Sequence, residues 1–328
     1  MKKLLIVNPI FEETFIYETE KALKEDYEIS SFFITNKSFN PLISKYFYKV
    51  INLFYINILG KRNYYQILEQ KRKTKFYLKC LRKIKNKKYD KILFCRGDLL
   101  PEFVLKKLSE KSLELITYQC DGTAKCPKIF YKKKYFTKIF SFEKKDIINF
   151  PELNFKFITN FYFEINNDNE YSNKKIDFYY IGVGLMERIE IIKKFDFMFS
   201  EYHNVFILTS KKKTEATKSI ILMNQGLKYD ENLKFVNNCR VIIDIKLEEH
   251  DGLSFRFFEG IYYRKKIITN NADVINYDFY HPNNILIVNY NNLSKEEIIS
   301  FVQKEYYPLD QKIISKYSFR NWINKILD

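Results

Sequence analysis

The chain lacks several features that would place it at once in a known class of protein. Its five cysteines show neither the paired spacing of a disulfide framework nor that of a zinc site. No apolar run approaches the roughly 20 residues that cross a bilayer. The apolar stretch at the start is too short for a signal peptide, and no small-residue cleavage site follows it. We therefore predict a cytoplasmic protein whose cysteines lie in packed cores.

Motifs of several enzyme classes are also missing. There is no Walker A loop, no His-Glu-x-x-His pattern and no hydrolase nucleophile elbow. No Asp-x-Asp pair stands at the end of an apolar strand, so we expect neither a metal-bridged diphosphate site nor another cofactor. His203 and His281 stand alone in the sequence, and we assign them structural roles.

What the chain does contain is apolar material and positive charge. Hydrophobic residues make up 46% of its 328 residues and aromatic residues 18%, which suits two packed domains of about 150 residues each. The net charge is +16, and residues 41–90 carry 14 lysines and arginines against two acids, interleaved with aromatic residues. Such a segment is typical of a surface for an anionic membrane, a phosphate-rich substrate or nucleic acid. Lysine-biased codon usage on solvated helices explains it equally well.

Strand and helix patterns alternate along the chain, which predicts an α/β fold of two Rossmann-like domains with parallel sheets. We predict an N-terminal domain at 1–160, an asparagine-rich linker at 161–175, a C-terminal domain at 176–310 and a final helix at 311–328. Ligands in such folds bind where strands end, in a cleft between the domains. The predicted strands cover residues 4–7, 27–34, 91–95, 113–118, 138–142, 176–181, 204–209, 240–245, 266–269 and 285–288.

Residues 251–259 carry side chains that suit an anion at the start of a helix. Gly252 lets the backbone approach a ligand, and Ser254 is a good N-cap residue beside free N–H groups. Arg256 can make a forked contact with a phosphate, and Glu259 can accept from two ribose hydroxyls. An ordinary capped helix with an internal Arg–Glu pair is the alternative.

Further residues are expected to face the same cleft. Gly182 and Gly184 form a two-glycine turn after a strand, which lets a diphosphate come close or serves only as a tight connection. Lys211 begins a basic run after the next strand. His250 and Asp251 directly precede the helix. We assign all five to donor binding.

Two aspartates are candidates for the catalytic base. Asp98 and Asp121 each follow a strand of the first domain, where a carboxylate can take a proton from an acceptor hydroxyl. Turn or N-cap roles are the alternative for both. Asp98 precedes a clear helix and Asp121 does not, which slightly favours Asp121 as the base.

These runs together resemble bacterial glycosyltransferases of lipopolysaccharide and capsule gene clusters. The resemblance rests on DGLSFRFFEG at 251–260, KKIITNN at 265–271 and YDFY at 277–280, with RGD at 96–98 and YQCD at 118–121. It covers most of the chain from about residue 90 to 322, whereas residues 42–88 match nothing in the family.

The resemblance implies a GT-B architecture, in which the C-terminal domain binds a nucleotide-sugar donor, no metal is required and a final helix crosses back to the N-terminal domain. A hexosyltransferase-like enzyme that acts on a surface glycan or lipid-linked acceptor is then expected. Residues 41–90 would hold it peripherally on the inner face of the plasma membrane, with nucleic acid not expected as a partner. The alternatives are a nucleotide-sugar epimerase or hydrolase on the same fold, and a non-enzymatic nucleic-acid or anion-binding protein.

Overall fold

The computed structural model describes residues 1–33, 42–59, 64–84, 86–165, 176–210, 217–246 and 251–328. These residues form two six-stranded sheets flanked by helices. The two-sheet α/β fold predicted from the alternating pattern is confirmed.

The first sheet has the strand order β2-β1-β3-β4-β5-β6. β1 pairs in parallel with β2 and β3, and β3 pairs in parallel with β4. Their apolar runs are buried on both faces, as parallel strands covered by helices require. The strands are β1 (Lys2–Val7), β2 (Tyr27–Phe32), β3 (Lys91–Cys95), β4 (Glu114–Gln119), β5 (Lys138–Ser141) and β6 (Phe155–Phe157).

Six helices accompany this part of the chain, namely α1 (Glu12–Leu23), α2 (Leu42–Leu59), α3 (Tyr64–Arg82), α4 (Glu102–Ser109), α5 (Ile129–Lys132) and α6 (Lys144–Asn149). The last turns of α3 pack on the core of the first sheet through Phe76, Tyr77 and Leu81. α2 and α3 lie within the basic, aromatic-rich stretch at residues 41–90. None of the described helices is both long and apolar enough to cross a membrane.

The second sheet has the order β12-β11-β10-β7-β8-β9, and each of its neighbouring pairs is parallel. Its strands are β7 (Ile176–Val183), β8 (Asn204–Thr209), β9 (Ile220–Met223), β10 (Cys239–Asp244), β11 (Lys266–Thr269) and β12 (Ile285–Ile287). The helices are α7 (Met186–Met198), α8 (Tyr229–Asn238), α9 (Phe255–Tyr262), α10 (Lys295–Gln303), α11 (Gln311–Lys316) and α12 (Phe319–Leu327).

The chain divides into two compact units. Unit 1 contains residues 1–12, 23–118 and 128–139, and unit 2 contains residues 13–22, 119–127 and 140–328. Most of α1, the turn after β4 and all of α6 therefore belong to the unit that contains the second sheet.

The predicted final helix is interrupted, because α11 ends at Lys316 and α12 begins at Phe319. α12 packs in unit 2 against Phe15 of α1, with the ring centroids of Phe15 and Phe319 5.0 Å apart. Trp322 is 2% exposed, lies 4.4 Å from Phe161 between ring centroids, and donates its indole N–H to a backbone carbonyl. The C-terminal helix and most of α1 therefore pack together within unit 2, and the crossover to the N-terminal domain stays a prediction.

Part of the predicted linker is described. Phe161, Tyr162 and Phe163 are all buried, at 0–1% exposure, in the same aromatic region. Residues 166–175 of that segment lie outside the described part of the chain.

Candidate functional site

The helix expected to bind an anion begins where the sequence predicts. Ser254 occupies the N-cap position of α9, and its carbonyl accepts from the N–H of Phe257. Its hydroxyl does not cap the helix but donates to Asp244, the last residue of β10, at 2.7 Å. The start of α9 is therefore fastened to the carboxyl end of a central strand.

The Asp244 carboxylate also receives the guanidinium of Arg256. The Arg256 Nε and Nη2 atoms lie 2.9 and 2.8 Å from Oδ1, and Oδ2 accepts from the Thr269 hydroxyl at 2.8 Å. Arg256 Nη1 donates to the carbonyl of Ile181 at the end of β7. One buried ion pair thus joins α9 to the ends of β7, β10 and β11.

The Asp244 carboxylate also changes the pKa of Arg256. Burial alone lowers the pKa of Arg256, but the Asp244 carboxylate more than offsets this, so the pKa is raised above its ordinary value. The guanidinium also lies over the ring of Tyr180, 5.6 Å from its centroid. The Arg256 side chain is 16% exposed, so most of the guanidinium is shielded from solvent.

Glu259 is more enclosed than a ribose-binding carboxylate is expected to be. It is 2% exposed, and the Asn232 side chain donates to it at 3.5 Å. Burial raises the pKa of Glu259, and its polar neighbours lower it only in part. The contact with ribose stays a prediction, and it requires this enclosure to open.

The backbone N–H groups before α9 do bind an anion, and that anion is a side chain of the protein. Glu143 Oε2 accepts from the amides of Asp251 at 3.0 Å and Gly252 at 2.7 Å. Gly252 lacks a side chain because a Cβ atom would stand 2.4 Å from the ring of Phe142. A ligand was expected to approach the backbone at Gly252. In the structure, the side chains of Phe142 and Glu143 occupy that position.

The Asp251 side chain is held by two lysines. Lys246 Nζ lies 2.7 Å from Oδ1, and Lys145 pairs with Oδ2. Burial raises the pKa of Asp251, but the two ammonium groups outweigh it and hold the pKa below its ordinary value. The Asp251 carbonyl accepts from Asn271, which lies in the run KKIITNN.

The turn that contains Asp121 lies next to this loop. A Cβ atom on Gly122 would stand 2.7 Å from Cγ of Glu143, so the Glu143 side chain packs directly on the turn. Asp146 fixes the turn by accepting from the amide and hydroxyl of Thr123. Asp121 itself is half-buried. The structure thus brings together, within unit 2, the predicted base Asp121 and the loop at Asp251.

Asp98 lies in unit 1 in a different setting. It is 2% exposed and accepts a forked pair of bonds from Arg96, whose Nε and Nη2 lie 2.8 and 3.0 Å from the two carboxylate oxygens. It stands in a short 3-10 helix, and Pro101 is the N-cap of α4. Of the two alternative roles, N-cap is therefore wrong for Asp98, whereas its place in a 3-10 turn agrees with the turn role, and its side chain forms a buried ion pair.

The other predicted donor residues are only partly described. Gly182 is the next-to-last residue of β7, and a Cβ atom there would stand 2.4 Å from the hydroxyl of Tyr180. Gly184 lies in the turn before α7, and its amide donates to the carbonyl of Thr209. Lys211 and His250 lie outside the described residues.

Two site residues, Glu143 and Asp244, were not predicted from the sequence. Asp98 and Asp121 were selected because acidic residues at the carboxyl ends of strands face a ligand in such folds. Asp244 and Glu143 meet the same criterion, since Asp244 ends β10 and Glu143 stands two residues after β5. Applying that criterion to every acidic residue at a strand end would have found them. In the described part of the chain, no group of three or more His, Cys, Asp or Glu side chains is arranged to hold a metal ion.

Comparisons with known proteins find the fold but no sequence family. No protein-family model matches the chain, and no curated protein matches it. The structure is similar to the UDP-forming α,α-trehalose-phosphate synthase from Burkholderia vietnamiensis, with a TM-score of 0.57 and 10% identity over 100% of this chain and 97% of that chain.

Two epimerases are similar to the same degree. UDP-GlcNAc 2-epimerase from Methanocaldococcus jannaschii, in complex with UDP-GlcNAc and UDP, has a TM-score of 0.54 and 14% identity over 100% and 99% of the two chains. The enzyme from Neisseria meningitidis bound to UDP-GlcNAc has a TM-score of 0.56 and 9% identity over 99% and 98%. At these identities the likeness shows the GT-B fold that the sequence resemblance implied.

Proposed function

We propose that the protein is a glycosyltransferase that moves a sugar from a nucleotide-sugar donor to a hydroxyl group. The observation that carries the proposal is the pair of amides at Asp251 and Gly252, which hold a carboxylate at the start of α9. A site that binds a carboxylate through backbone N–H groups also suits a phosphate. The neighbouring structures named above bind UDP-GlcNAc or form UDP, which supports a nucleotide-sugar as the donor.

In the proposed reaction the main electrostatic task is to stabilise charge on the departing diphosphate. The amides of Asp251 and Gly252 before α9 perform it once the diphosphate takes the place of the Glu143 carboxylate, and the Arg256 guanidinium adds positive charge at the start of α9. Because Asp244 already pairs with Arg256, the arginine supplies a fixed, preorganised charge and does not have to move. We propose that this arrangement needs no metal ion.

Asp121 is the better supported base of the two aspartates. It is half-buried beside the amide loop, whereas Asp98 is 2% exposed and neutralised by Arg96. A base must reach the hydroxyl whose proton it takes, and a carboxylate enclosed in an ion pair does not. We propose that Asp121 deprotonates the acceptor if the transfer inverts the anomeric centre.

Nucleotide binding provides the first test. Thermal unfolding with UDP, GDP, CMP and dTDP sugars should show a higher melting temperature with one of them, because a ligand that binds the native state stabilises it. Glu143→Gln removes the negative charge that occupies the two amides but keeps the shape of the side chain. The nucleotide that stabilises the protein should therefore bind more tightly to this variant than to the wild type.

The exposed Glu305→Gln serves as the matched control and should leave nucleotide affinity unchanged. If no nucleotide stabilises the protein, the proposed donor is wrong. If Glu143→Gln leaves the affinity of a nucleotide that does bind unchanged, the diphosphate does not use the amide pair.

A nucleotide-sugar epimerase is the second candidate, because two of the similar structures are epimerases. Incubation with donor alone separates the two functions. An epimerase turns over the nucleotide-sugar without an acceptor, whereas a transferase requires one.

We further propose a bacterial lipopolysaccharide, capsule or other surface glycan as the acceptor, carried on a lipid. α2 supports this with an exposed apolar face, at which Val50, Leu53 and Phe54 are each more than half exposed. α3 adds a dense set of lysines and arginines, which suits an anionic membrane surface. Failure to bind anionic vesicles at physiological salt would remove this part of the proposal.

A further inference from the structure

A cavity of about 270 Å³ opens in unit 2 at the amino ends of β10 and β11. The site described above lies at the carboxyl ends of the same strands, so the two lie at opposite edges of the sheet. The residues that line the cavity are Asn237, Asn238, Cys239, Arg240, Val241, Arg264, Lys265, Lys266, Val302 and Tyr306.

Four of these lining residues are cationic, and no carboxylate is among them. Two of the cations have structural partners at helix ends. Lys265 donates to the carbonyl of Asn237 at the end of α8, and Lys266 donates to the carbonyl of Phe301 near the end of α10. Each helix C-terminus carries about half a negative charge, so the two ends together neutralise about one of the two lysine charges. About one positive charge is left over.

Two arginines add to that excess. Arg240 pairs with Asp177 through Nη1 at 3.1 Å, while its side chain stays 49% exposed. Arg264 is exposed, and within the described residues it makes neither a hydrogen bond nor an ion pair. Tyr306 contributes a hydroxyl, and burial raises the pKa of that group to about 12, so it remains a hydrogen-bond donor at neutral pH.

The backbone at Arg264 adopts the left-handed conformation in which helices commonly end. Its φ angle is 54°, two residues beyond the end of α9, at a position where glycine is the usual residue. The left-handed backbone ends α9, and glycine is favoured there because it adopts this conformation without strain.

We propose that this cavity binds a phosphate group, carried by a small phosphorylated molecule, at a site separate from the donor site. Arg264 makes the charge-assisted contact, Tyr306 donates a hydrogen bond, and Lys265, Lys266 and Arg240 provide the positive field. Pockets for drug-sized ligands start at about 300 Å³, so the cavity suits a phosphate with a short organic part.

The test uses the full-length protein and two probes, inorganic phosphate and glucose 6-phosphate, at constant ionic strength set with chloride. Binding is measured by calorimetry and by the melting temperature. We expect at least one probe to bind and to raise the melting temperature, and binding of the ester alone identifies a phosphate ester as the ligand. If neither probe binds, the proposal is wrong.

Arg264→Gly is the decisive variant, because glycine adopts the left-handed backbone without strain. It should melt at a higher temperature than the wild type without ligand, and it should bind the phosphate probe at least about tenfold more weakly. Lys325→Gln, which removes one exposed positive charge in α12, should keep wild-type affinity. Full phosphate affinity in Arg264→Gly overturns the proposal, whatever the change in melting temperature.

Discussion

Asp244→Asn tests whether the buried ion pair organises the second sheet and α9. The substitution preserves shape but removes the charge that neutralises Arg256. The Asp244 carboxylate is 3% exposed and accepts from Ser254, Arg256 and Thr269. Removing one partner of a buried pair costs about 3–5 kcal/mol, because the other charge stays buried and uncompensated.

The lower end of that range is expected for this substitution. Asparagine keeps one acceptor oxygen, and Arg256 keeps its bond to the carbonyl of Ile181. We therefore expect a loss of about 3 kcal/mol in the free energy of unfolding, which is a little over a hundredfold in the equilibrium constant. Urea unfolding followed by fluorescence measures it, since the only tryptophan, Trp322, lies in the same unit as Asp244.

A double-mutant cycle isolates the pair itself. Asp244→Asn combined with Arg256→Gln removes both charges of the pair, so the double variant should be more stable than the sum of the single losses predicts. Glu201→Gln removes an exposed ion pair with Lys295 and should change stability little. A loss below about 1 kcal/mol for Asp244→Asn, or strict additivity in the cycle, would refute the reasoning.

Three other substitutions test the aromatic core, the amide loop and the basic cavity. Trp322→Ala should cost about 3–5 kcal/mol in urea unfolding followed by circular dichroism, and a loss below about 1 kcal/mol would mean that α12 is held by other contacts. Gly252→Ala should cost about 1–3 kcal/mol, because its Cβ atom meets the ring of Phe142, and an unchanged melting temperature would show that the loop has room. Burial and two neighbouring cations lower the pKa of Lys266 from 10.5 to about 8. The unfolded chain therefore binds more protons between those values, and stability rises with pH across that window. Lys266→Gln should flatten this rise in unfolding experiments at pH 8 to 10.5, and equal slopes in the two proteins would contradict the shift.

The fold was predictable because its strands are short apolar runs that end at polar or glycine residues. β3 and β8, for example, stand where the predicted strands 91–95 and 204–209 place them. β6 and β9 were missed, whereas β5, β11 and β12, which are equally short, were predicted. Runs of three or four residues therefore separate a strand from a loop or a buried helix turn only in some cases. α8 and α10 were missed as well, which left the second sheet with fewer predicted helices than it has.

The site was less predictable than the fold, because its contacts join residues far apart in sequence. The motif at 251–259 correctly placed a helix start, but Glu143 reaches its amides across more than 100 residues. Arg256 was assigned to a ligand from its type alone, whereas its partner Asp244 is set by the register between β10 and its neighbours. Spacing within a motif carries no information on such pairings.

The contact between Phe15 and α12 has a consequence for how the chain is made. Unit 2 is built from both ends of the sequence, so Phe15 emerges from the ribosome about 300 residues before Trp322, 6.0 Å away between ring centroids in the fold. At a synthesis rate of 5–20 residues per second, roughly 15–60 s pass between the synthesis of α1 and that of α12, on which it packs. During that interval its apolar side is available to chaperones, and unit 2 cannot form completely until Trp322 has been synthesised.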